Sequence, residues 1–289
     1  MAPFSAAHSA MNGPETKSGL RALLDAHHLV LSKRYGQNFL VDPETLAALG
    51  AFIPAREDTM FIEIGTGALA LTLELAKKGK RVVSYELDTR FSPLHRDVLA
   101  GEPNARHIEL VCADALEVDW CSIAAPGETP VLTGNLPYLR SSEVVLKLIH
   151  STCINEACLL FQKEFAERIA ARAGTHAYGS LTVAVQTFFA VEQAMVLPPE
   201  VFFPQPTVSS ALLIFHRRPH DLTPAEVRPY LGLVQQAFLH RRKKLVDFFR
   251  RRGAAITGPL VSLADLRAEN LTPEDFVALY RELKSRGRP

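Results

Sequence analysis

Cysteine is scarce in this chain. The four in 289 residues, Cys112, Cys121, Cys153 and Cys158, form no CxxC pair and have no histidine pair at ligand spacing, so neither a zinc site nor a disulfide framework is indicated. They are expected to be small buried thiols in a reducing cytoplasm. Long apolar runs are missing as well. No stretch approaches membrane-spanning length, and no membrane association is expected. Residues 1–19 mix Ala, Ser, Pro and Gly without the apolar core of a signal sequence, and they are expected to form a flexible tail. Net charge is nearly absent, at +1, but it is unevenly spread. Between His240 and Arg252 stand Arg241, Arg242, Lys243, Lys244, Arg250, Arg251 and Arg252 against the single acid Asp247. A neutral total therefore does not exclude a polyanionic partner.

What is present is enough apolar content, 47%, for a well-cored chain, and no internal repeat organises it. Thr59 to Gly65 reads as a buried strand, and Leu69 to Lys78, with Leu71, Leu75 and Ala76 on one face, reads as the helix that follows. Arg81 to Leu87 makes a second strand. Further apolar runs at His107 to Cys112, Pro130 to Gly134 and Ala157 to Phe161 are separated by helical stretches at Phe91 to Leu99 and Ser142 to His150. Strand alternating with helix predicts a parallel, doubly wound α/β sheet. Two later runs, Ala194 to Leu197 and Ala211 to Phe215, are expected to pair at its edge. After residue 216 the apolar residues recur at helical spacing, and Thr272-Pro273-Glu274 has the form of a helix start. The domain reading is a tail at 1–19, a sheet domain at 20–216 and a helical domain at 217–289.

Four short motifs fall at the carboxyl ends of these strands, where open parallel sheets bind ligands. Gly65 and Gly67 at a strand-to-helix turn let backbone approach a ligand, although a tight turn alone also explains them. Glu86, about twenty residues on, stands where a carboxylate would meet ribose hydroxyls. The third glycine of a dinucleotide fingerprint is missing, Leu69 standing near its place, which argues against NAD. Asp114 could accept the exocyclic amine of an adenine or simply cap a helix. Asn135-Leu136-Pro137-Tyr138 ends an apolar run. The Asn135 side-chain oxygen and the Leu136 carbonyl could accept both hydrogens of a base amine, Pro137 holding the chain open and Tyr138 stacking on the base. The alternative is a strand-ending turn.

Over Lys33 to Leu283 the chain closely resembles the ribosomal RNA adenine dimethyltransferases. The markers are Gly36-Gln37-Asn38-Phe39-Leu40 with Asp42, Glu63-Ile64-Gly65-Thr66-Gly67, Glu86-Leu87-Asp88, Asp114-Ala115-Leu116, Asn135-Leu136-Pro137-Tyr138, Gln162-Lys163-Glu164, Tyr178-Gly179, and the segment from Pro198 through Phe202, Pro204, Pro206 and Val208 to Ser210. The resemblance implies a Rossmann-like S-adenosylmethionine-dependent methyltransferase sheet with a small helical C-terminal domain. It also implies a metal-free transfer, made twice on one adenine N6, and small-subunit rRNA as partner of a cytoplasmic monomer. By the same resemblance Asn38 and Leu40 would contact the methyl donor, Gly65 would pack against it, Glu86 would hold its ribose and Asp114 its adenine. Asn135 would sit between donor and target, and Phe202 would lie against the flipped base opposite Tyr138. The basic stretch from Arg241 is expected to be a helix gripping rRNA phosphates.

The chain departs from the family at Leu69, where Gly or Ala is usual, at Ala113, where Gly is usual, and at Leu139-Arg140, where Asn and an apolar residue are usual. Leu69 is placed to crowd the donor pocket, and Arg140 to alter entry of the target base. Two other functions stay open at this level. One is the sister group that modifies large-subunit rRNA and confers macrolide resistance. The other is an assembly factor that binds RNA with its catalysis lapsed.

Overall fold

A computed structural model describes residues 13–32, 36–251, 256–258 and 260–287. The first twelve residues of the expected tail, Lys33 at the start of the resemblance and Arg252 of the basic stretch lie outside the described residues. The strands are β1 (Phe39–Leu40), β2 (Thr59–Ile64), β3 (Arg81–Tyr85), β4 (Ile108–Val111), β5 (Thr129–Asn135), β6 (Glu156–Gln162), β7 (Phe189–Leu197), β8 (Phe202–Phe203) and β9 (Ser210–Arg217). The helices are α1 (Lys17–Ala26), α2 (Pro43–Phe52), α3 (Ala70–Ala76), α4 (Ser92–Ala100), α5 (Ser141–His150), α6 (Lys163–Ile169), α7 (Ser180–Phe188), α8 (Pro224–Phe238), α9 (Leu245–Arg251), α10 (Leu260–Ala264) and α11 (Pro273–Ser285). The last three residues of the expected tail already belong to α1, which Thr16 caps by accepting the Gly19 N–H at 3.1 Å.

Seven strands form one sheet in the order β4-β3-β2-β5-β6-β9-β7. The pairs β3·β4, β2·β3, β2·β5 and β5·β6 are parallel. All six residues of β2 are buried, with no alternation, as a central parallel strand covered on both faces requires. The chain lays β2, β3 and β4 outward in one direction and then returns to place β5 on the other flank of β2. That reversal is the switch point where such sheets open a crevice. Gly134 permits β5 to lie close to β2 there: its φ is +156°, and a Cβ would stand 2.5 Å from the Ile64 carbonyl oxygen. The expected late pair also forms, as β9 and β7 at the sheet's edge.

The chain divides into two compact units, residues 1–144, 151–163 and 193–214 in one and 145–150, 164–192 and 215–289 in the other. In the first, Leu40, Leu46, Leu49, Phe61, Leu75, Val131, Leu160 and Leu212 share one core. In the second, the Tyr178 hydroxyl donates to the Leu271 carbonyl at 2.8 Å, Thr187 and Tyr230 share a hydroxyl contact of 2.7 Å, and Phe238 stacks on Phe276. These partners lie on both sides of residue 217. The helical unit is therefore not the contiguous 217–289 expected, because it recruits α7 and the segment before it.

Cys121 and Cys153 are joined in a disulfide, Cys112 is exposed and Cys158 is buried. The expectation of four buried thiols thus holds only for Cys158. The bridge joins the turn before β5 to the loop before β6, two neighbouring strands, so it depends on tertiary placement that spacing does not encode.

Candidate active site

A cavity of about 230 Å³ opens at the carboxyl ends of the central strands. Its lining includes Gln37, Asn38, Phe39 and Leu40 from the N-terminal segment, Gly65, Thr66 and Gly67 after β2, and Glu86 and Leu87 after β3. Ala113 to Leu116 after β4, Asn135 at the end of β5, and Pro137, Leu139 and Arg140 beyond it also line it. All six residues expected at a methyl donor, Asn38, Leu40, Gly65, Glu86, Asp114 and Asn135, thus meet around one space within a single unit. Gly65 has φ +88° and an added Cβ would find only ordinary contact, 3.6 Å to the Asn135 carbonyl, so the conformation rather than lack of room calls for glycine.

The acid groups around the cavity are already engaged. Glu86 accepts the Gly67 N–H through Oε2 and the Asp88 N–H through Oε1, both at 2.8 Å, which fixes the glycine turn to the end of β3. Burial raises its pKa, and those backbone donors oppose the shift. Asp114 accepts the Leu116 N–H at 2.9 Å through Oδ1, while Oδ2 pairs with Arg140 Nη1 at 2.6 Å. Below the turn, Glu63 is fully buried in β2; Thr72 and Ser84 each donate to its Oε2 at 2.6 Å, and its Oε1 has no partner among the described residues. Burial pushes its carboxyl up to about 7, against the pull of those two hydroxyls.

Asn135 has a defined orientation. Its Nδ2 donates to the Asn38 carbonyl at 2.6 Å, so its Oδ1 is the end left to accept from a ligand. Its neighbours are less directly disposed. Pro137 lines the cavity whereas Leu136 and Tyr138 do not, and the Tyr138 hydroxyl contacts Ser210 Oγ at 2.9 Å.

Phe202 is a correction. Expected against a flipped base, its ring is 1% exposed and packs in the core with Leu40, Leu46 and Leu49. The reason is strand alternation: β8 pairs antiparallel with β1, and of two adjacent Phe side chains one must face inward. Phe203 takes the other face, under the guanidinium of Arg21 at 4.8 Å.

Leu69 is a second correction. It adopts φ +77°, its side chain is wholly buried, and it is absent from the cavity lining, so it does not crowd the pocket. The basic stretch is a third. Arg241 to Lys244 form the turn between α8 and α9 rather than a helix. Arg241 is committed to Glu269 at 2.7 Å and Lys244 to Asp265 at 2.8 Å, which leaves Arg242 and Lys243 without an acidic partner among the described residues. A second cavity, of about 530 Å³, lies at this turn within the helical unit, lined by His176, His240, Arg241, Arg242, Lys243 and Glu269 among others.

Sequence reasoning missed two supports of the site. His95 Nε2 donates to the Gly67 carbonyl at 2.7 Å, and burial lowers its pKa. Its signal was the spacing Leu94, His95, Val98 on one face of α4, with Phe91 just before it. Gln37 bridges the Ser32 N–H and the Asp88 carboxylate, each at 2.9 Å, and so pins the N-terminal segment to the turn after β3.

Comparison with known proteins sets this geometry among relatives. Residues 29–284 match the family described as ribosomal RNA adenine dimethylase. A protein of Ligilactobacillus salivarius named ribosomal RNA small subunit methyltransferase A is 36% identical over 283 residues, covering 92% of this chain and 95% of that one. A protein of the same name from Acidobacterium capsulatum is 36% identical over 262 residues, covering 88% and 91%. Among solved structures, a dimethyladenosine transferase from Plasmodium falciparum superposes with a TM-score of 0.70 at 24% identity, covering 86% of this chain and 98% of that one. The 23S rRNA methyltransferase ErmE gives 0.63 at 26% identity, covering 85% and 99%.

Proposed function

The chain belongs to the ribosomal RNA adenine dimethylase family, and from that premise we propose that it dimethylates the exocyclic N6 of adenine in small-subunit rRNA during ribosome assembly, with S-adenosylmethionine as methyl donor. The observation that carries the reading is the convergence of Asn38, Leu40, Gly65, Glu86, Asp114 and Asn135 on one cavity. The small-subunit substrate is favoured over the large-subunit one by relatives that bear the small-subunit name at 36% identity across most of the chain.

The donor supplies an electrophilic methyl on a sulfonium sulfur. The residues of this chain would do the rest. A base amine is a weak nucleophile because its lone pair is delocalised into the ring. Asn135 Oδ1, aimed by the bond from Nδ2 to Asn38, and the Leu136 carbonyl would accept the amine hydrogens and return electron density to nitrogen. Attack of that nitrogen forms the N–C bond, the C–S electron pair stays on sulfur, and one proton passes from the methylated nitrogen to water. Repetition requires that the singly methylated base still present its remaining hydrogen to one of these acceptors. Extruding the base from its stack costs a few kcal/mol, roughly, which stacking on Tyr138 would offset in part. Holding the two reactants in line supplies much of the acceleration. The test is incubation of purified protein with labelled donor and small subunits lacking the modification. Label on small-subunit rRNA supports the proposal, and preference for naked large-subunit RNA, or no label, overturns it.

A further inference from the structure

Arg140 stands where the family commonly carries an apolar residue, and it bonds to a residue on the far side of the cavity. Its Nη1 meets Asp114 Oδ2 at 2.6 Å, and its Nη2 meets Glu143 Oε2 at 2.8 Å. Asp114 follows β4 and Arg140 follows β5, strands separated in the sheet by β3 and β2. At the usual strand spacing that is roughly 14 Å. The ion pair therefore joins segments that leave the sheet on either side of β2 and β3, and Asp114 and Arg140 line the same cavity as Gly65 and Glu86.

We propose that the Arg140–Asp114 ion pair is a removable strap at the donor cavity, which competes with the donor's adenine amine for the Asp114 carboxylate. This rests on the donor reading of the cavity. Asp114 Oδ1 accepts the Leu116 N–H and Oδ2 accepts Arg140 Nη1, so an amine that approaches the Oδ2 side meets the guanidinium there. Glu143 makes release feasible, because the guanidinium keeps one carboxylate partner when it leaves the other. The pair is partly solvated, Arg140 at 36% and Asp114 at 21% side-chain exposure, so it is a weak strap that salt loosens. Arg140 is thus a positioning residue that governs donor access from the segment carrying Asn135, linking the two halves of the site.

The test is calorimetric titration of the full chain with S-adenosylmethionine at low and high salt. Arg140→Ile removes the guanidinium, and Arg140→Gln removes the charge while keeping length and polarity. Both variants are expected to bind donor about two- to tenfold more tightly than wild type at low salt. Wild-type affinity is expected to rise toward theirs between about 0.05 M and about 0.5 M salt, while the variants respond less. A merely structural role for Arg140 would not produce that difference in salt response. Variants that bind as wild type does, with the same salt response, or more weakly, overturn the strap and leave the donor site standing. Absence of binding in all three proteins overturns the donor site and the strap together.

Discussion

At the level of single residues, the site depends on which end of the Asn135 amide faces the ligand. The bond from Nδ2 to the Asn38 carbonyl decides this, since an amide nitrogen can only donate. Asn135→Ala is therefore expected to lower kcat by about 10²- to 10³-fold, the usual loss for one acceptor or donor at a reacting centre, with donor affinity largely retained. Unchanged turnover in a single-turnover assay would remove Asn135 from the mechanism. Leu69 makes the opposite kind of claim. Its backbone is left-handed, a conformation that favours glycine, and its side chain is buried. Leu69→Ala should destabilise by about 2–4 kcal/mol. Leu69→Gly should be the more stable of the two variants by about 1 kcal/mol, because glycine carries no penalty at positive φ. Denaturant unfolding of both gives the order, and the reverse order would contradict the left-handed conformation.

At the level of elements, the β2 to α3 junction is braced by a buried carboxyl. Glu63 has an ordinary value of 4.5 and is pushed up to about 7 by burial. Between those values the folded protein keeps a proton that the unfolded chain has released, so stability falls as pH rises through the window and levels off above it. Glu63→Gln, which resembles the protonated acid, should flatten that slope; Glu86, also raised by burial, contributes to both proteins alike. Thermal unfolding at about pH 5 and about pH 8 checks this, and equal slopes would contradict it. Elements were also the most legible scale. The apolar runs placed β2 to β6 and the late pair β7 and β9, most plainly the fully buried β2, where composition alone carries the signal. Gly65, Glu86, Asp114 and Asn135 were legible because each stands at or just after a strand end, whereas Asn38 and Leu40 came only from the family resemblance. Three of the misplaced features needed contacts between distant segments. Phe202 turned inward because of its partner strand, the helical unit recruited α7 through Tyr178 and Thr187, and Cys121 met Cys153 through adjacent strands. The Arg140–Asp114 pair spans 26 residues of sequence, and no local pattern announces it.

At the level of the whole molecule, the near-neutral total conceals a division of labour between the two units. One holds the cavity with its engaged carboxylates, and the other exposes cations at the turn between α8 and α9. With Arg241 and Lys244 already paired, Arg242 and Lys243 are the ones there with charge to offer phosphate. Replacing both by Ala should lower the slope of log affinity for small-subunit rRNA against log salt by about 1.5, at roughly 0.7–0.9 per phosphate contact. An unchanged slope in filter binding would assign the grip elsewhere. The claim on which everything converges is transfer of two methyl groups to one adenine nitrogen. It is tested most directly by mass spectrometry of nucleosides from unmodified small subunits incubated with the protein and S-adenosylmethionine. N6,N6-dimethyladenosine in small-subunit rRNA, lost with Asn135→Ala, is the expected result; no methylated adenosine, or methylation that leaves N6 untouched, would contradict it.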